Sequence, residues 1–302
     1  MNIELAFNEF VLNKIEVERE ASLANHSTFK IGGNCALAVF PKSKDELQNV
    51  LSTLKKYAVK HRVVGRGSNI LFSDNGYSGA LVFTNKMCKM RKETDEMIYA
   101  ESGATLKSIA NFAYKNELSG LEFAHGIPGS CGGGVYMNAG AYGGEISGVL
   151  KYSDYYNVRT GELGRFEHSE HNFSYRHSIY EERKELIILG ACFELKKADP
   201  DAIKAVMDEN ALKRKQKQPL EYPNAGSTFK RPPNAFAAQM IDECGLKGLS
   251  VGGAQVSEKH AGFIVNKGGA TSSNVLTLIA AVKEKVAEKY GVELETEIEY
   301  VE

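Results

Sequence analysis

Residues 126–144, Gly-Ile-Pro-Gly-Ser-Cys-Gly-Gly-Gly-Val-Tyr-Met-Asn-Ala-Gly-Ala-Tyr-Gly-Gly, hold eight glycines in nineteen positions. Glycine permits φ > 0 and lets backbone N–H groups approach a ligand with no Cβ in the way. Successive N–H groups in such turns form concave nests for an anion, typically a phosphate or pyrophosphate. A flexible linker of this glycine content would be padded with Ser, Pro and charge, whereas Ile127, Val135, Tyr136 and Met137 want burial. A second turn, Gly65-Arg66-Gly67-Ser68-Asn69, leads into the strand-like Ile70-Leu71-Phe72. It lacks the third glycine and the following helix on which a Rossmann fingerprint depends, so a dinucleotide site of that kind is excluded. Two separate glycine turns suit an extended ligand with a pyrophosphate in its middle. FAD is the commonest such ligand.

The elements that must position these turns read as mixed α+β, without the steady βαβ alternation of a doubly wound sheet. An amphipathic helix is expected over 3–18 and a capped helix over 44–60, started by Ser43 with Glu46 three residues on. Another helix runs from a Thr105 cap to Asn116. Strands are expected at 62–64, 70–72, 80–83, 97–101, 153–158, 163–168 and 186–195. A change of pattern near residue 200 suggests a boundary, with residues 1–200 as one part and 201–302 as another. Asp199-Pro200-Asp201 starts a helix that turns basic over Lys213-Arg214-Lys215-Gln216-Lys217. That run is either a solvated helix end favoured by the macrodipole or a clamp for a phosphorylated ligand. A helix over 273–290 and a terminal strand over 292–301 complete the chain, with a shorter helix at 234–244 and short strands at 250–257 and 261–266 before them.

Composition limits the function classes. A 43% apolar and 25% charged chain of 302 residues is ordinary for a soluble globular protein. Its net charge of −1 gives no footprint for nucleic acid, and no apolar run reaches membrane-spanning length. The N-terminus carries acids and no basic n-region, so no signal peptide is expected. Five scattered cysteines without a Cys-x-x-Cys pair argue against a disulfide framework or structural zinc, and for a reduced, cytoplasmic protein.

Six motifs, in order between Thr28 and Ile298, carry a family resemblance. They are Thr28-Phe29-Lys30-Ile31-Gly32-Gly33, Gly65 to Leu71, Gly126-Ile127-Pro128-Gly129-Ser130 through Asn138-Ala139-Gly140-Ala141-Tyr142-Gly143, Phe173-Ser174-Tyr175-Arg176-His177-Ser178, Pro223-Asn224-Ala225-Gly226-Ser227-Thr228-Phe229-Lys230, and Leu294-Glu295-Thr296-Glu297-Ile298. Together they resemble the UDP-N-acetylenolpyruvoylglucosamine reductase family, in its shorter class without the tyrosine-bearing insertion.

The resemblance implies an α+β fold: a vanillyl-alcohol-oxidase/PCMH-type FAD-binding domain of two subdomains, divided near 65–75, plus a C-terminal α+β substrate-binding domain. It implies non-covalent FAD, NADPH as hydride donor and a UDP-sugar as substrate, with no nucleic acid, membrane or obligatory protein partner. Hydride passes to the β-carbon of the enolpyruvyl ether and a proton to the α-carbon, giving UDP-N-acetylmuramate for peptidoglycan synthesis. Such chemistry must stabilise an enolate-like charge and supply one proton. By resemblance, Arg176 is the permanent cation beside the enolate, Ser227 the proton donor, and Glu297 the third catalytic group. The cofactor set is Gly65, Arg66, Gly67, Ser68, Asn69, Gly126, Ile127, Pro128, Gly129, Ser130, Asn138, Ala139, Gly140, Ala141 and Gly143, and the substrate set is Lys217, Asn224 and Lys230. Without the family, Arg176 reads as a surface arginine, Ser227 as a turn residue, and Glu297 as one of four carboxylates on a solvated strand face.

Two other readings use the same glycine turns. A different flavin enzyme of this fold, an oxidase or lactone dehydrogenase, has no need of Asn-Ala-Gly-Ser or the terminal Leu-Glu-x-Glu. A non-catalytic nucleotide-binding protein has no need of Arg176, Ser227 and Glu297.

Overall fold

The computed structural model describes residues 2–302 and divides the chain into two compact units. Of the described residues, the first comprises 2–19, Leu37–Arg66 and Gly79–Arg214; the second comprises Glu20–Ala36, Gly67–Ser78 and Lys215–Glu302. The units are not the contiguous halves expected from the change of pattern near residue 200. Ile203 and Met207 are buried in a core of the first unit, so the helix Pro200–Lys217 belongs largely with what precedes it.

The first unit has two cores. A five-stranded antiparallel sheet runs in the order Leu163–Glu167, Leu150–Asn157, Leu186–Glu194, Met97–Glu101, Met90–Lys92. The helices Leu106–Lys115 and Cys131–Tyr136 add Leu106, Ile109, Ala113 and Val135 to its core. The second core joins Ala6 and Phe10 of the helix Asn2–Leu12 to Leu47, Val50, Leu51 and Leu54 of the helix Lys44–Lys56, with Leu37, Val39, Ala80 and Val82 from strands. Those strands belong to a four-stranded sheet ordered Val17–Ser22, Asn34–Val39, Tyr77–Phe83, His61–Val64, in which the last two are parallel. Helix starts follow local chemistry. Ser43 Oγ accepts the Glu46 N–H at 3.2 Å and Thr105 Oγ1 accepts that of Ser108 at 2.9 Å, each satisfying a donor with no partner in the first turn.

The second unit packs the helices Ala237–Glu243 and Ser272–Tyr290 against a three-stranded sheet of Ser250–Val251, Ala254–Val256 and Ile264–Asn266. Thr271 and Asn274 form a reciprocal capping box, and Gly291 at φ +64° closes the long helix. Its core also holds Phe29, Ile31 and Leu71, which come from N-terminal sequence.

Two expectations are corrected. The helix expected over 3–18 stops at Leu12, because Lys14 turns into the left-handed region at φ +57° and Val17 enters a strand. The strand expected over 292–301 is regular only at Glu299–Val301, which pairs in parallel with Ile70–Phe72. Leu294 and Ile298 are buried as the alternation requires, but Tyr300 is 37% exposed, because the parallel pairing replaces a free-standing amphipathic strand.

Candidate active site

Ser227 lies in a segment pinned on two sides within the second unit. Asn224 Oδ1 accepts the Gly226 N–H at 2.9 Å, an Asx turn that carries Gly226 to φ +80°. The next residue, Thr228, donates its N–H to Gly262 O at 2.8 Å, and its Oγ1 accepts the Ile264 N–H at 3.1 Å. Ser227 is half-buried, and among the described residues its hydroxyl has no hydrogen-bond partner.

Glu297 reaches the same place from the far end of the chain. Its N–H donates to Thr228 O at 2.8 Å, and its own carbonyl accepts from Asn69 Nδ2 at 3.0 Å. The pairing continues antiparallel through Phe229 and Thr296 to Lys230 N–H on Glu295 O at 2.9 Å. Glu293 and Glu295 are exposed while Glu297 is half-buried. The four terminal carboxylates are therefore not one solvated face. Backbone pairing, invisible to a period-2 reading, sets Glu297 and Glu299 apart from Glu293 and Glu295.

Arg176 belongs to the first unit, in a tight turn where Ser174 and His177 exchange backbone hydrogen bonds at 3.3 and 3.2 Å. Its φ is +56°, a left-handed conformation that a non-glycine residue holds only when its surroundings over-determine it, at about 1–3 kcal/mol. Those surroundings are visible. Asn138 Nδ2 donates to Ser174 O at 3.0 Å, Ser178 Oγ donates to Tyr136 O at 2.7 Å, and Arg176 Nη2 reaches Gly140 O at 3.3 Å. The guanidinium is half-buried and lies 5.0 Å from the centroid of the Tyr175 ring. The structure thus brings Ser227, Glu297 and Asn69 together in one unit, and Arg176, Asn138 and Gly140 together in the other.

The large glycine stretch is not a single loop. It contains the end of a short 3₁₀ turn (Glu122–Gly126), extended residues through Gly129, the helix Cys131–Tyr136 capped by Ser130, and a hairpin. Tyr142 and Gly143 form the tip of that hairpin with φ +53° and +85°, as a two-residue turn with both positions left-handed requires. Gly65 meets this stretch directly, since a Cβ there would lie 2.3 Å from Ser130 Oγ. At Gly67, φ is +59° and a Cβ would lie 2.3 Å from His26 O. Among the described residues the backbone N–H groups of Arg66, Gly67 and Ser68 have no acceptor. A turn with Cβ-free positions at Gly65 and Gly67 and consecutive available donors fits the pyrophosphate of FAD.

Two of the expected contact residues have structural work instead. Asn138 is fully buried, its Nδ2 on Ser174 O and its Oδ1 accepting the Ser147 N–H at 2.9 Å, so it has no surface to offer a cofactor. Asn224 has its Nδ2 on Tyr222 O at 2.8 Å and Pro219 O at 3.3 Å, with Oδ1 engaged by Gly226, so its amide shapes the Ser227 segment and is not available to a substrate. Lys217 is exposed at a helix end, and Lys230 Nζ lies 3.5 Å from a Glu295 carboxylate oxygen. Cys131, inside the glycine stretch, is fully buried with its thiol pushed up to about 12 by burial, so it is no thiolate nucleophile.

Sequence reasoning missed Thr228, whose carbonyl and hydroxyl lock Ser227 to both neighbours, and the role of Arg214. The Arg214 guanidinium donates to Gly126 O, and burial holds its pKa below the usual arginine value. It belongs neither to a solvated end nor to a free phosphate clamp. The signal was available: Ile203, Met207 and Asn210 are buried at helical spacing, and Arg214 continues their stripe.

The family description "UDP-N-acetylenolpyruvoylglucosamine reductase, C-terminal domain" matches residues 218–301, and "FAD binding domain" matches residues 35–162. A UDP-N-acetylenolpyruvoylglucosamine reductase of Clostridium novyi is 46% identical over 293 residues, covering 97% of this chain and 94% of that protein. One from Syntrophomonas wolfei is 48% identical over 283 residues, covering 92% and 93%. The crystal structure of the Thermus caldophilus UDP-N-acetylenolpyruvylglucosamine reductase superposes with a TM-score of 0.80 at 31% identity, over 95% of this chain and all of that one. Identity of this extent across both units carries the fold and the flavin domain with it, and the chain belongs to the UDP-N-acetylenolpyruvoylglucosamine reductase family of FAD-dependent oxidoreductases.

Proposed function

We propose that this chain reduces the enolpyruvyl group of UDP-N-acetyl-3-O-(1-carboxyvinyl)-glucosamine to give UDP-N-acetylmuramate, with Arg176, Ser227 and Glu297 as its catalytic residues. FAD, held by the Gly65–Asn69 turn and the Gly126–Ser130 stretch, would supply the hydride for the β-carbon of the enolpyruvyl ether, with NADPH as its source. The work left to the protein is to hold the substrate carboxylate, stabilise charge as it develops and protonate the α-carbon. The Arg176 guanidinium is permanently charged and its planar fork matches a carboxylate, so it balances the enolate as the α-carbon becomes electron-rich. Ser227 Oγ supplies the proton to that carbon, from a segment whose backbone is fixed on both sides. Glu297 completes the set from the adjoining segment, its carboxyl assisting the transfer.

The observation that carries this reading is the hydrogen bond from Glu297 N–H to Thr228 O. It joins the residue after Ser227 to Glu297, two catalytic candidates separated by most of the C-terminal sequence. Gly65, Arg66, Gly67, Ser68 and Asn69, with Gly126–Ser130 and the 139–143 hairpin, would hold FAD non-covalently. Lys217 and Lys230 are the cations left for the nucleotide. The flavin part would extend through the helix Pro200–Lys217, in two subdomains divided near 65–75, and the substrate part would be the sequence after it. Both family matches fall within these ranges. The same reading places the enzyme in the cytoplasm, acting on small molecules without nucleic acid, membrane or an obligatory protein partner. No helix among the described residues is long and apolar enough to cross a membrane.

The deciding experiment is NADPH oxidation by the FAD-loaded protein with and without the enolpyruvyl nucleotide, with the product identified by mass. Oxidation that ignores the nucleotide, or a purified protein that takes up no FAD, overturns the proposal.

A further inference from the structure

Ser153, His171 and Tyr180 have no part in the chemistry above, yet all three are fully buried and joined in one chain of hydrogen bonds. Ser153 Oγ lies 2.7 Å from His171 Nε2 and 2.7 Å from the Tyr180 hydroxyl, and His171 Nδ1 lies 2.9 Å from Glu167 O. One arrangement of protons satisfies every member. A carbonyl only accepts, so His171 Nδ1 carries the proton donated to Glu167 O. Burial keeps the imidazole below its ordinary pKa, so Nε2 is bare and accepts from the Ser153 hydroxyl. Ser153 Oγ in turn accepts from Tyr180, whose phenol burial pushes well above its ordinary value.

The residues between His171 and Tyr180 are the loop that carries Arg176. His171 stands at its entrance, where its ring stacks on Phe173 with centroids 4.9 Å apart and planes 6° apart. Tyr180 stands at its exit, two residues after Ser178, whose hydroxyl donates to Tyr136 O. Ser153, on the sheet strand Leu150–Asn157, therefore holds both feet of the loop through one oxygen. The left-handed backbone at Asn172 (φ +49°) and Arg176 (φ +56°) is what such anchoring has to maintain.

We propose that Ser153 is a positioning residue for Arg176, acting through His171 and Tyr180 to hold the guanidinium where the substrate carboxylate meets it. This rests on the reading of Arg176 as the cation at that carboxylate. A displacement of about 1 Å in such a group costs orders of magnitude in rate, so a buried anchor behind it has a kinetic consequence.

The test uses the FAD-loaded full-length protein and follows its two half-reactions by rapid mixing. Ser153→Ala is expected to slow flavin reoxidation by the enolpyruvyl nucleotide about tenfold and to leave reduction by NADPH within about twofold. In an Arg176→Ala background the same substitution is expected to add nothing, because residues acting through one another are not additive. Tyr180→Phe keeps the ring and removes the hydroxyl; it should reproduce the pattern and serves if Ser153→Ala does not fold. Equal slowing of both half-reactions, or an undiminished effect in the Arg176→Ala background, overturns the proposal. If Arg176→Ala slows reoxidation while Ser153→Ala and Tyr180→Phe do not, the positioning role alone falls. If Arg176→Ala itself leaves reoxidation unchanged, the reading of Arg176 falls and this inference with it.

Discussion

Asn69 Nδ2 donates to the backbone carbonyl of Glu297 across 3.0 Å, so the end of the first glycine turn and the segment bearing the Glu297 carboxyl are one piece of structure. An amide can fill this position and a carboxylate cannot, because two acceptors would face each other. Asn69→Ala is expected to lower stability by about 1 kcal/mol, the usual worth of such a bond. Asn69→Asp is expected to lose more, and in both variants reoxidation by the nucleotide should slow more than reduction by NADPH. Thermal unfolding and stopped-flow absorbance measure the two effects. An Asp variant as active and stable as wild type would contradict this account.

Ser227→Ala should leave flavin reduction by NADPH near normal while blocking reoxidation by the enolpyruvyl nucleotide, since only the second half-reaction needs the proton. Removing a positioned acid typically costs about 10²–10⁴ in rate. Equal loss in both half-reactions would take Ser227 out of the donor role.

Arg176→Asn separates function from stability. Asparagine tolerates the left-handed region better than arginine, so the substitution relieves strain at φ +56° as it removes the cation. The expected result is a melting temperature equal to or above wild type together with reoxidation slowed about 100-fold or more. A large fall in melting temperature would show that the guanidinium is holding the fold.

Gly65→Ala should weaken FAD binding about tenfold or more, because its new Cβ would lie 2.3 Å from Ser130 Oγ. The clash is with one atom. Adding Ser130→Ala removes that atom and leaves the Ser130 Cβ at 3.4 Å, an ordinary contact. The double variant should recover most of the affinity, less about 1 kcal/mol of stability for the lost helix cap. Flavin fluorescence titration of the three variants checks this, and a double variant no better than Gly65→Ala removes the steric explanation.

Acid should destabilise the protein in the range where histidine titrates. Burial holds His125, His171 and His260 below the ordinary value of 6.5; lysines lower His125 and His260 further (Lys107 and Lys204 act on His125, Lys247 and Lys217 on His260). The unfolded chain therefore binds these protons at a higher pH than the folded one does. Their contribution to stability is complete above about 6.5 and is lost as pH falls from there through the folded pKa values. Melting temperature should drop between pH 7.5 and 5.5, and His260→Gln should make that drop shallower. A flat profile would refute the assignment of these rings as neutral in the folded state.

Much of the scaffold was legible because it rests on local rules. Ser43 and Thr105 start helices as their side chains dictate, and the strands at 62–64, 70–72 and 97–101 stand where apolar clusters meet turn residues. The first helix was overextended because apolar spacing does not register a left-handed residue at Lys14. Asn138, Asn224 and Arg214 were misread for a common reason. A polar side chain looks the same in sequence whether it faces a ligand or satisfies backbone groups, and only its hydrogen-bond partners distinguish the two.

By itself the sequence determined the family, the two glycine turns and the flavin they suit, and singled out Arg176, Ser227 and Glu297 as catalytic candidates, because motifs at fixed offsets are carried along the chain. Only the tertiary structure decided that Glu297 is held beside Thr228 and Asn69 while its neighbours Glu293 and Glu295 face water. Only it, too, shows Arg176 held in a left-handed turn whose two feet are tied to Ser153. The physical reason is the same in both cases. These arrangements are hydrogen bonds between residues far apart in sequence, and a donor's partner across such a distance is chosen by the fold.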